Sequence, residues 1–293
     1  MMSNAVLQKT LIVALMCSAA GVGAAAAPNS ATKAGSAPKP APVAAHTQAP
    51  ALPAMTVAQI VDKNVAARGG LTAWRAVQTM SWKGMMGAGG SNYASINAKG
   101  QLKLGEREET QLPFRFEFKR PLKTRLELDV NGATAVQIFD GAKGWKLRPY
   151  LGRSDWDPYT DDELKQAASA LGIDGWLIDY AAKGARVELA GTDKVEGHAA
   201  YRLKLTRKDG QVRRLWVDGQ SFLDIKVDGE PRRFDGKMRN VEVYLREFKP
   251  EQGLMIPRVQ ETAVEGVKKT EKIVIDGVTV NPKLDDARFA PSR

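Results

Sequence analysis

From Gln78 onward, apolar and polar residues alternate along most of the chain. In "FRFEFKRP", Phe114, Phe116 and Phe118 fall on one face. In "TRLELDV", Leu126, Leu128 and Val130 oppose Arg125, Glu127 and Asp129. "TMSWKGMM", "ASINAKGQLKL" and "AVQIFDGAKGWKLRP" continue the pattern, the last with Val136 and Ile138 and then Trp145 and Leu147. A period of two marks strands with one wet and one dry face. A second run starts at Arg186: Val187 and Leu189, then Tyr201, Leu203 and Leu205, then Leu215 and Val217. "VEG", "KDG" and "VDGQS" punctuate it with Gly beside acids, as hairpin turns require. "NVEVYLREFKP", "LMIPRVQETA" and "KKTEKIVIDGVTV" complete it.

Two stretches have a helical period instead. In "TVAQIVDKNVAARGG", Val57, Ile60, Val61 and Val65 repeat at helical spacing, Thr56 can cap the first turn and Gly69-Gly70 stop it. "LTAWRAV" reads as a short second helix. Around residues 160–182, Asp161, Asp162 and Glu163 open a helical stretch where the helix dipole favours them, and Leu164, Ala168 and Leu171 share a face. Gly172 and Gly175 loosen the chain before "WLIDYAAKG". A sheet of about ten or eleven short-connected antiparallel strands cannot stay flat. The expected fold is mainly β (α+β): a curled antiparallel half-open β-barrel covered by helices.

The N-terminal segment stands outside this pattern. Residues 1–27 have Lys9 as their one charge, an apolar "TLIVALMC" and alanines that offer A-x-A sites, the layout of a secretory signal peptide. The apolar core is too short for a membrane span of about 20 residues. Cys17, the single cysteine, follows the bulky Met16, which suits a plain signal core better than a lipidated cysteine. Its removal leaves no disulfide, thiolate or zinc-cysteine chemistry. Residues 28–54 are Pro/Ala/Ser-rich and aperiodic, and read as a disordered spacer that holds His46. The folded domain is expected over 55–293.

The chain carries a formal charge of +10, of which Lys9, Lys33 and Lys39 lie ahead of the domain. The remaining cations alternate along strands instead of clustering on one helix, so a solvated basic face is favoured and nucleic acid is not expected as a partner. Catalytic motifs are scarce. His198 is the one histidine of the domain and sits in the turn "VEGHAAY". "DWDPYTDDE" lacks the Gly and Glu positions of a calcium-binding loop and reads as helix capping. "FDGAKGWKL" has two glycines around Lys143, but the lysine precedes Gly144 and a strand follows, so it is a hairpin corner and not a phosphate loop. No cofactor, metal or catalytic residue is expected, and the chain reads as a non-enzyme.

In order along residues 56–293, "NVAARGGLTAWRAVQTMSWKG", "FKRPLKTRLEL", "IFDGAKGWKLRP", the run from "DDELKQAASALGIDGWLIDYAAKGARVEL" to "RRLWVD", and "GLMIPRVQE" together resemble the LolA/LolB-like periplasmic proteins, often labelled outer-membrane lipoprotein-sorting proteins. The proline-rich leader and the 160–182 insertion look like a divergent branch. The resemblance implies an unclosed barrel over a hydrophobic cavity with a helical lid, and lipid or lipoprotein acyl chains as ligand. On that basis the cavity wall is expected from Trp82, Phe116, Leu126, Leu128, Ile138, Trp145, Leu203 and Leu205. Leu171, Trp176 and Leu177 form the expected lid, with Lys123 and Arg125 at a headgroup rim. The implied role is a monomeric periplasmic lipid or lipoprotein carrier or chaperone. The alternative is an envelope-stress sensor or interaction module with a membrane-protein partner.

Overall fold

The computed structural model describes residues 52–88, 93–96, 102–105, 110–169, 172–234 and 237–292. The expected signal peptide, Cys17, His46 and the spacer up to residue 51 lie outside the described residues, as does Leu171.

Helix α1 (Val57–Ala67) starts in a capping box: Thr56 Oγ1 accepts from Gln59 N, and Gln59 Oε1 accepts from Thr56 N at 2.9 Å. Helix α2 is Leu71–Ala76, with Trp74 buried. The strands are β1 (Thr79–Ala88), β2 (Tyr93–Ile96), β3 (Leu102–Gly105), β4 (Thr110–Lys119), β5 (Lys123–Val130), β6 (Ala133–Phe139), β7 (Gly144–Leu147) and β8 (Asp157–Pro158). After α3 (Asp161–Ser169) come β9 (Arg186–Val195), β10 (His198–Thr206), β11 (Val212–Asp218), β12 (Asp224–Asp228), β13 (Arg232–Phe234), β14 (Lys237–Arg239), β15 (Val241–Glu251), β16 (Leu254–Val264) and β17 (Glu271–Val280).

Thirteen strands form one antiparallel sheet in the order β8-β7-β6-β5-β4-β1-β17-β16-β15-β12-β11-β10-β9. β2–β3 and β13–β14 are separate ribbons. The sheet is not closed into a barrel: β8 and β9 are its edges. It is larger than the ten or eleven strands expected, in part because two-residue β8 is too short to show a period. Residues 173–184 form consecutive turns instead of continuing the helical stretch. Gly172 and Gly175, the latter at φ +77°, precede and enter that run.

Register puts Trp82 opposite Phe116, and Phe116 opposite Leu126, on one inner face. The same face continues through Val243, Val227, Leu215 and Leu203. Two apolar clusters fill it. One joins Trp74 of α2 and Ile178 to β1, β4, β5, β16 and β17. The other joins Ile60 and Val61 of α1, Trp176 and Leu177 to β9–β12. Val65 of α1 touches both. Leu52, the first described residue, lies against the turn at Gly219, and Tyr201 Oη donates to Pro53 O at 2.8 Å. The last residues of the segment read as spacer, from Leu52, therefore belong to the folded part.

The outer face is covered differently in its two halves. Around β6 and β7, Val136 and Ile138 pack with Trp145, Leu147 and Trp156 under Leu284 and Phe289 of the C-terminal segment. Around β11, β12 and β15 a polar ladder does the covering: Lys226 lies 4.0 Å from the Trp216 ring, and Trp216 Nε1 donates to Asp193 at 3.1 Å.

The β6–β7 corner is a capped turn: Asp140 Oδ1 accepts from Ala142 N and Lys143 N, and Gly141 holds φ +103°. Gly144 is required for another reason. A Cβ there would meet the Tyr159 ring at 2.1 Å. Tyr159 lies half-buried near Glu163, and Lys146 bonds Glu163 at 2.6 Å and pins α3 to β7. Gly144→Ala must displace that ring, with an expected loss of about 1–3 kcal/mol. Urea denaturation of the variant measures it, and an unchanged midpoint would show that Tyr159 does not hold the corner.

Candidate functional site

The residues expected to form one wall divide into three groups. Trp82, Phe116, Leu126 and Leu128 lie together on the inner face of β1, β4 and β5. Phe116 and Leu128 are buried, while Trp82 and Leu126 remain half-buried beside Tyr150 and Val278. The Trp82 ring stands edge-on to Phe118 at 4.9 Å, and Phe118 to Phe116 at 4.1 Å. This is the part of the apolar wall that the helices leave partly uncovered. Two donors in it, Trp82 Nε1 and Tyr150 Oη, are buried without a hydrogen-bond partner. Burial pushes the Tyr150 phenol above its usual range.

Leu203 and Leu205 form a second group. They are fully buried beneath α1 and the 173–184 turns, with Trp176 and Leu177 packed on them. Trp176 and Leu177 thus do cover the inner face, as core residues of the C-terminal half.

Ile138 and Trp145 form a third group, and the register corrects their place. Ile138 pairs with Arg125 and with Trp145, so all three lie on the face opposite Leu126 and Leu128. There Ile138 and Trp145 pack against Phe289 and Leu284, outside the inner wall. Lys123 and Arg125 share that outer face. Lys123 Nζ bonds Asp286 at 2.8 Å, and Arg125 bonds Glu127 at 2.6 Å and Arg288 O at 2.9 Å. They fasten the C-terminal segment and do not line a rim of the inner wall.

Sequence reasoning missed Arg258. It is buried on the inner face of β16, paired with Glu251, and its Nε has no partner. The signal was available in phase: Leu254, Ile256, Arg258, Gln260 and Thr262 are consecutive same-face positions of "LMIPRVQET". Arg258 and Thr262, both buried, place polar groups in a face that is otherwise largely apolar.

His198, Asp218 and Ser221 bring together the residue types of a hydrolytic triad, in the wrong order. Asp218 Oδ1 accepts from Ser221 Oγ at 2.8 Å, and His198 Nδ1 lies 3.5 Å from Asp218 Oδ2. The carboxylate stands between serine and imidazole, so the imidazole is not the hydroxyl's partner. Burial pushes Asp218 up, but bonds from Ser221 and Gln220 outweigh it and hold the carboxyl below its usual range. This is a turn cap. Among the described residues no group of three or more His, Cys, Asp or Glu could hold a metal ion.

A buried ion cluster sets the helices over the inner face. Arg68, at the end of α1, donates to Asp174 O at 2.9 Å and lies 3.7 Å from Asp224. Its guanidinium covers the Trp74 ring at 4.6 Å. Asp174 receives Lys183 at 2.9 Å and Arg120 at 3.0 Å. Arg120 also donates to Val77 O at 2.6 Å and Trp74 O at 3.1 Å. Asn64 joins Asp224 to Phe222 O, each at 2.8 Å.

No protein-family model and no curated protein matches this sequence. Solved structures do match. A LolA superfamily protein from Nitrosomonas europaea superposes with TM-score 0.51 at 13% identity, over 81% of this chain and 99% of that one. A DUF1329 family protein from Desulfovibrio piger gives TM-score 0.52 at 14% identity, over 80% of this chain and 97% of that one. The chain has a LolA-like fold.

Burial pushes the Asp174 carboxyl up, but Lys183 and Arg120 outweigh it and hold it below the usual carboxylate range. Its stabilisation is therefore complete above the unfolded value near pH ~4 and is lost as pH falls through the lower folded value. Asp174→Asn leaves two cations short of a partner and is expected to cost about 3–5 kcal/mol at neutral pH. The variant should also lose less stability than the native chain on acidification. Denaturant midpoints measured from neutral to acid pH check both, and a variant as stable and as acid-sensitive as the native chain would contradict this role.

Proposed function

We propose that the protein is a non-catalytic periplasmic carrier that binds a lipid or lipoprotein acyl chain against its inner face. The observation that carries this reading is the half-buried wall of Trp82, Phe116, Leu126 and Leu128 in a half-open LolA-like sheet. Phe116 and Leu128 supply a fixed apolar floor. Trp82 and Leu126 supply the surface that a chain would cover.

The energetics fit a carrier. Burying about fifteen methylenes at ~0.8 kcal/mol each supplies roughly 12 kcal/mol. Association costs on the order of 4–15 kcal/mol. A single chain is then held modestly and can be released. The signal-peptide-like pattern of residues 1–27 supports a periplasmic setting for this binding.

The test is native mass spectrometry of protein purified from the periplasm, with extraction of bound lipid, followed by titration with a fluorescent acyl probe. The native chain should carry or take up acyl ligand. Leu126→Asp should weaken uptake by tenfold or more, because a carboxylate in the wall must be desolvated to admit the chain. A protein that is consistently empty and also refuses added lipid and lipopeptide would overturn the reading.

A further inference from the structure

The β13–β14 ribbon does no evident work for the core. It stands outside the main sheet between β12 and β15. Met238 in it is 57% exposed, and Lys237 beside it is exposed. Its register sets Arg232 directly opposite Arg239, and like charges so placed destabilise a ribbon. An isolated two-stranded ribbon is marginal in water, so this pairing carries a cost that the fold does not explain.

The surroundings answer that charge only in part. Arg232 bonds Glu271 at 2.9 Å, but Arg239 Nε is buried without a partner. The turn between β16 and β17 lies against the ribbon: Asn240 Nδ2 donates to Glu265 at 2.9 Å, and a Cβ on Gly266 would sit 3.8 Å from Arg239. That turn adds exposed Lys268 and Lys269. Residues 232–239 and 265–271 together hold six cations against three acids. The turns at the other end of the strands, at 120–122, 140–143, 196–197, 219–223 and 252–253, hold two of each. The excess charge is thus polarised toward the ribbon, and the N-terminal segment enters at the opposite end, beside Gly219.

We infer that this ribbon docks the protein on an anionic lipid surface, with Met238 entering the headgroup layer and Lys237, Arg239 and Lys268 meeting lipid phosphates. An exposed apolar side chain flanked by cations is the chemistry that such a surface recognises, through apolar burial together with attraction of about 1 kcal/mol per cation. The inference concerns the outside of the domain and does not depend on what the inner face binds.

The experiment is cosedimentation of the purified protein with vesicles of phosphatidylcholine alone and of phosphatidylcholine mixed equally with phosphatidylglycerol, at low and high salt. Binding is expected on the anionic vesicles only, and should weaken with salt. Lys237→Glu changes two charges and should lower partitioning by roughly 25-fold. Met238→Gln, which leaves the charge untouched, should lower it several-fold. Both positions are exposed, so melting temperatures should not move, which separates lost docking from lost folding. Lys143→Glu makes the same charge change at the opposite end and should have little effect. Equal losses for Lys237→Glu and Lys143→Glu, equal binding to uncharged vesicles, or no binding to either kind would each overturn the inference.

Discussion

An open sheet must have its dry face covered by something other than itself, and here the covering is held by the buried charges around Asp174. Apolar packing alone fixes neither the angle nor the depth at which a short helix rests on a sheet. Arg68, Arg120 and Lys183 converge from α1, from the turn after β4 and from the 173–184 run. Arg68 also binds the sheet through its carbonyl, which accepts from Trp74 Nε1 at 2.9 Å and Met255 N at 3.1 Å. Gly69 at φ +111° lets the backbone come so close to Gly253 that a Cβ would meet its carbonyl at 2.2 Å. Asp174 is itself buried and its carboxylate is shared by Arg120 and Lys183, so removing it costs more than removing one partner of an ordinary surface pair.

This arrangement makes the inner face unequal. Over β9–β12, α1 and the turns cover Leu203 and Leu205 completely. Over β1, β4 and β5 the cover stops short of Trp82 and Leu126. On the half with the thinner cover, the wall is buried at Phe116 and Leu128 and half-open at Trp82 and Leu126. On the back of that same half, the C-terminal segment supplies a second layer through Phe289 and the ion pairs of Arg288 with Glu117 and Glu127. The sheet there is braced from behind.

Much of the fold was legible in the chain because a strand half-buried on one side writes its own period. The faces of β4, β5 and β10 follow the alternation of their apolar residues. The α1 cap at Thr56 and the turn at Asp140-Gly141 follow from local chemistry, since each is satisfied within three residues. The proposed wall was legible only in part. Trp82, Phe116, Leu126 and Leu128 do converge, whereas Ile138 and Trp145 sit behind them. Arg258 went unnoticed because one cation among apolar residues reads as a solvated strand charge until its partner Glu251 and its burial are known.

By itself the sequence determined which residues of each strand share a face, where the chain turns, and that the dry face needed helices to cover it. It could not determine which face of one strand adjoins which face of the next. A period of two has two phases, and a shift of one residue exchanges them. Tertiary pairing made that choice when Arg125, not Leu126, came opposite Ile138. That choice gave Trp145 to the back of the sheet, under Phe289, and left Trp82 on the inner wall.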